Sequence, residues 1–163
     1  MSTIDLPQLP DPQTNPELFE GVLTRRVFAH VIDLVIISAI VATVAVVGLV
    51  AGFLTFGLAW LAMPVIIPLA ILGYYVVTLG GPSRATIGMA MMDIMLTPGR
   101  GMPLDGLAIL IHPLVFWITV WVAWPFSLAI ALFTPRRQMV QDVVTGTLML
   151  RRSALGYHGA VSA

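Results

Sequence analysis

Arg26, His30 and Asp33 have the most chemistry to offer in this chain, because they stand in or against an apolar stretch. Arg26 and Asp33 are seven residues apart, so two helical turns bring them to one face. His30 falls between them, four residues after the arginine and three before the aspartate, on the same stripe. A stripe of guanidinium, imidazole and carboxylate has two uses where water is scarce. It can be an ion-pair seam that fixes helix packing, or an ion or proton site in which Asp33 titrates and His30 relays. The two charges lie about 10 Å apart along the axis, and both side chains lean toward the helix N-terminus, so direct contact within one helix is awkward. The seam should therefore face a neighbouring segment. Asp142 is the available partner for Arg26 if both lie at the same membrane interface. Arg136 and Arg137, shortly before it, read as interfacial anchors attracted to anionic lipid.

The elements that position these residues follow from composition. The 163 residues are 58% hydrophobic and 10% charged, with a mean hydropathy of +0.96. Soluble domains carry about 25% charged residues, so an integral membrane protein of one compact unit is expected. The net charge is zero, and no nucleic-acid partner is implied. There is no cysteine, which excludes disulfides, thiol catalysis and cysteine metal sites.

Three stretches pass the length of about 20 residues needed to cross a bilayer. They are 27–51, 54–79 and 107–133, the last two without a charge. Continuous apolar runs argue for helices rather than a β-barrel, whose strands alternate. The expected fold is an all-α, small polytopic helical bundle. Pro64 and Pro68 should kink the second span. Residues 1–20 form a polar, proline-rich tail expected to be flexible. They lack the basic start of a secretory signal. The membrane domain covers 21–152, and a second flexible tail covers 153–163.

All eight basic residues are arginines. Arg25 and Arg26 precede the first span, and Arg84 and Arg100 fall in the 80–106 loop. Arg136, Arg137, Arg151 and Arg152 follow the third stretch. The charge rule puts all of them in the cytoplasm, with the N-terminus inside a bacterial inner membrane. Both ends inside requires an even number of crossings, so 107–133 is the difficulty. A straight helix there would be about 40 Å long, against a core of roughly 30 Å. Either it is a hairpin broken near Trp124-Pro125, which the charge rule favours, or it is one tilted, kinked span.

Other signals are weaker. Gly48 and Gly52 are spaced for close helix packing, within the chain or between copies. His112, before Pro113, is expected to donate to a carbonyl that the proline leaves unpaired. His158 should be solvated. Tyr74, Tyr75 and the tryptophans include candidates for interfacial anchors. The methionines of Met89–Leu96 read as apolar filler or a docking surface rather than a copper site. No metal or cofactor is expected. No hydrolase, nucleotide-binding or metalloprotease motif occurs, so no enzyme is expected.

The run Arg26-Val27-Phe28-Ala29-His30-Val31-Ile32-Asp33, then Thr86-Ile87-Gly88, then Pro135-Arg136-Arg137-Gln138 and Gln141-Asp142-Val143-Val144-Thr145-Gly146-Thr147 resembles the RDD family of small membrane proteins. The likeness runs from about Phe19 to Arg152. It implies a defining trio of Arg26, Asp33 and Asp142. Similar proteins carry basic residues after Thr-x-Gly, whereas Met89–Leu96 has none. The resemblance implies a fold and a location, with transport of ions or small solutes as the activity proposed for the family. The leading expectation is thus a transport-type protein with Asp33 as the ionisable site, tuned by His30 and Arg26, and with Asp142 closing the cytoplasmic end. The alternative is a non-transporting accessory or assembly subunit. Expected partners are membrane lipids and either further copies of the chain or a larger membrane complex.

Overall fold

The computed structural model describes residues 10–98 and 106–156, with the side chains of 120–128 excepted. The first span is α1, Val22–Leu54, entered through a 3-10 turn at Pro16–Leu18. Gly21 caps α1 with φ +65°, a left-handed conformation that glycine adopts without steric cost. The helix starts earlier and ends later than the apolar run, so the turn falls at Thr55–Gly57 rather than near Gly52. At 33 residues it is about 50 Å long, more than a bilayer core requires. Its N-terminal half receives the rest of the fold.

A 3-10 turn at Leu58–Ala62 leads into α2, Met63–Leu79. Pro64 lies in the first turn of α2, where a missing N–H costs nothing, so it opens the helix instead of kinking it. Pro68 alone is interior. Gly48 and Gly52 make a close approach inside the chain. A side chain at Gly48 would strike Met63, and one at Gly52 would strike the Trp60 indole. Val46, Val47, Leu49, Val50 and Phe53 on α1 and Leu69 and Val77 on α2 are all exposed. An apolar face of that extent is stable against lipid and not against water. The chain is a membrane protein, and among the described residues α1 and α2, each with its 3-10 lead-in, are long and apolar enough to cross.

The 80–106 connection is not a plain loop. It contains α3, Ile87–Met91, and β1, Ile94–Pro98. After α4, Gly106–Phe133, and α5, Val140–Thr145, comes β2, Thr147–Arg151. The two strands pair antiparallel, Ile94 opposite Arg151 and Pro98 opposite Thr147. The fold is thus helical as expected, with one added two-stranded ribbon. Ile94, Leu96 and Met149 pack toward α1 and α2, while Leu148 and Leu150 pack on Leu18 and Phe19. Within the segment expected to be a flexible tail, Leu18 and Phe19 are therefore buried. Tyr74 and Tyr75 are buried too, and so are not interfacial anchors.

The third apolar stretch is one helix, main-chain helical through Trp124-Pro125, so the favoured break there does not occur. Yet α4 is not straight. His112, near its start, lies 3.9 Å from the Asp142 carboxylate. Thr134, one residue past its end, bonds Gln138, and the next N–H, of Met139, donates to that same carboxylate. A straight helix would hold His112 and Phe133 roughly 31 Å apart, beyond what these contacts span. The helix bends, and both of its ends attach to α5.

A polar knot closes the ribbon end. Asp93, at φ +59°, accepts from the Ser153 amide at 2.9 Å and hydroxyl at 2.5 Å, with Arg151 at 3.4 Å. Burial pushes its carboxyl up, but the Ser153 hydrogen bonds and the Arg151 charge outweigh this and hold it below its ordinary value. A depressed carboxyl contributes stability above its unfolded-state value and loses it as pH falls through the folded one. Stability is expected to fall below about pH 4, and Asp93→Asn should flatten that slope in detergent unfolding curves.

Candidate functional site

The trio does not form one cluster. It forms two sites on α1, one around Asp33 and one around Arg26.

Asp33 is 3% exposed and accepts three hydrogen bonds. Tyr74 Oη donates to Oδ1 at 2.6 Å, the Gly88 amide donates to Oδ1 at 2.8 Å, and Thr86 Oγ1 donates to Oδ2 at 2.6 Å. The local sequence accounts for each donor. Thr86 is the N-cap of α3, its oxygen also accepting from the Met89 amide. Gly88 is in the first turn, where amides have no partner within the helix. A side chain at Gly88 would collide with the Ala29 carbonyl and come within 2.8 Å of Asp33 Oδ1. The spacing Thr86-x-Gly88 thus combines a hydroxyl donor, an amide donor and room for α1 to approach. Asp33 binds α1, α2 and α3 together without a cation.

Arg26 is 7% exposed and pairs with Asp142, which is fully buried. The contact is single-pronged, from Nη1 to Oδ2. Asp142 Oδ2 also accepts from the Met139 amide, tying the ion pair to the start of α5. Arg26 Nε and Nη2, Asp142 Oδ1 and Gln141 Oε1 are buried without a hydrogen-bond partner. Arg26 and Asp33 do not pair with each other, which their separation along the helix predicts.

His112 joins this site, which the sequence reading did not anticipate. Its Nδ1 faces Thr145 Oγ1 at 3.3 Å and Thr147 Oγ1 at 3.4 Å. Thr145 donates to the Gln141 carbonyl, and the two threonine hydroxyls share a bond of 2.9 Å. On the other side of the ring, Nε2 stands 3.9 Å from Asp142 Oδ1. His30 makes no hydrogen bond to Asp33; its ring stands edge-on to Phe116 at 4.9 Å. Arg136 is half-buried and Arg137 exposed, both apart from the pair. His158 lies outside the described residues.

A cavity of about 390 Å³ joins the two sites. Arg26, His30, Asp33, His112 and Gln141 line it, between apolar walls that include Val27, Val31, Leu79 and Phe116. Val27 and Val31 are half-exposed on the outer face of α1, so the cavity borders the lipid side. Among the described residues no group of histidine and acidic side chains is arranged to hold a metal. Of the residues that build the site, Tyr74, Thr86, Gly88 and His112 were absent from the sequence candidates. Only Thr86 and Gly88 had a signal, as part of a short motif.

No curated protein and no solved structure matches the chain significantly. Residues 21–146 match the RDD family, a span that holds Arg26, Asp33 and Asp142 together with nearly every element described above. The chain belongs to the RDD family.

Proposed function

We propose that this is a non-enzymatic bacterial inner-membrane protein that takes a small solute or ion into the cavity beside α1 and moves it across the membrane. The observation that carries this reading is the convergence of Arg26, His30, Asp33, His112 and Gln141 on one cavity. Charged groups there are costly unless paired, and cavities with a few convergent polar groups are where ligands bind. The unpartnered Arg26 edge is the group free to act, with Asp33 holding three helices around it.

The orientation proposed is N-terminus and ribbon in the cytoplasm. Arg25, Arg26, Arg84, Arg136, Arg137, Arg151 and Arg152 all belong to the ribbon end, whereas the turn at Thr55–Ala62 has no charge. The chain has no cysteine, so Gln13→Cys and Thr55→Cys report sidedness cleanly. A membrane-impermeant maleimide applied outside spheroplasts is expected to label position 55 and spare position 13. The reverse pattern would invert the topology.

Transport is tested in vesicles loaded with a pH-sensitive dye. The wild type is expected to speed collapse of an imposed proton gradient at least severalfold over empty vesicles. Arg26→Gln, checked for folding by gel filtration, should remove most of that rate. If the wild type matches empty vesicles across added cations and organic acids, the accessory-subunit reading replaces transport, and copurification from native membranes becomes the next measurement.

A further inference from the structure

The unpaired atoms around the cavity specify the head of its ligand. Arg26 uses only Nη1 on Asp142, leaving Nε–H and the Nη2 donors buried and unpartnered. Those two nitrogens form the side-on edge of a guanidinium, which matches two oxygens on one centre. Gln141 Oε1 is an unpartnered acceptor, on a residue 2% exposed, and His112 lines the same wall. The wall thus offers the two donors of the arginine edge side by side, with the Gln141 acceptor and the unpartnered Tyr75 hydroxyl nearby. A carboxylic acid head accepts from the arginine edge and has one O–H to donate to Gln141. An ester or an alcohol would leave part of that set unmet.

We infer that the cavity binds a single-chain aliphatic carboxylic acid, its head on Arg26, Gln141 and His112 and its chain along Val27, Val31 and Phe116. The volume, about 390 Å³, lies within the range of small-molecule pockets. Arg26 lies toward the arginine-rich end of α1 and Val31 lies deeper, so head and tail match the polarity gradient of the leaflet. The half-exposed Val27 and Val31 give entry from the lipid side. Asp33 keeps its own three donors throughout.

This inference deepens the transport reading but is tested by binding alone. Dodecanoic acid is titrated into the full chain in nanodiscs, with binding followed calorimetrically. Dodecanol, methyl dodecanoate and phosphatidic acid serve as comparisons. The acid is expected to bind saturably at one site, at least tenfold more tightly than the alcohol or the ester. Gln141→Leu, which keeps the ion pair, should weaken it severalfold, and Arg26→Lys should weaken it more. Equal affinity for the ester, equal affinity for phosphatidic acid, or no saturable binding by the wild type would each overturn the inference. Binding without flux would leave it standing while removing transport; flux of ions without acid binding would do the opposite.

Discussion

Asp142→Ala is expected to destabilise the protein by about 3–5 kcal/mol in reversible detergent unfolding, the usual cost of leaving a buried charge without its partner. Asp142 is fully buried and holds both the Arg26 guanidinium and the Met139 amide through one oxygen. Its removal strands Arg26 in a setting where neither lipid nor the apolar walls can solvate a cation. It also frees the first turn of α5, which carries Gln141 and leads into β2. The effect should therefore appear as loss of ribbon protection in hydrogen exchange as well as a lowered midpoint. Arg26→Gln alone should cost a similar amount from the other side. The double replacement Arg26→Met with Asp142→Leu is expected to recover most of the loss, because apolar pairs of similar size replace buried ion pairs at little cost. If the double variant is as unstable as the sum of the singles, the pair is not a coupled unit.

That pair was legible from residue types. A guanidinium and a carboxylate at matching depth in a medium that solvates neither must meet, even across 116 positions of sequence. The surroundings of Asp33 were not legible in the same way. Its partners are a tyrosine hydroxyl, a threonine hydroxyl and a backbone amide, none of which is marked by charge or helical spacing. Tyr74 read as an interfacial ring because its neighbours are apolar on every side, so nothing in the pattern said which way it faced. The ribbon was hidden for a related reason. Ile94–Thr97 and Thr147–Leu150 are buried on both faces, so the alternation that betrays a half-buried strand is missing. The bend of α4 was foreshadowed by an arginine distribution that demanded both ends on one side. The proline at 125 suggested a break, whereas the main chain stays helical through it. His112 was missed because its partners, Thr145 and Thr147, become neighbours only when α4 returns to α5.

Asp33 gives the sharpest separation between a structural and a titrating role. Asp33→Ala is expected to cost roughly 5 kcal/mol, because three buried donors lose their acceptor and each unsatisfied group costs about 1–3 kcal/mol. Asp33→Asn should fall between. Its single amide oxygen can still accept from Tyr74 and Gly88, but its NH₂ then confronts the Thr86 hydroxyl, which must cease donating. One charge-assisted bond is lost, at about 1.5–3 kcal/mol. Gly88→Ala should behave like a severe member of this series, because its methyl meets the Ala29 carbonyl and the carboxylate at once. Thr86→Val, nearly the same size but without the hydroxyl, should cost about 1 kcal/mol more than the asparagine variant, since it removes the N-cap bond to the Met89 amide as well. A site kept for proton exchange alone would give another pattern: Asp33→Asn as stable as the wild type and inactive. A stability ranking of wild type, then Asn, then Thr86→Val, then Ala, would show that Asp33 holds α1, α2 and α3 in register. An asparagine variant with unchanged stability would mean that the three donors contribute nothing to the fold.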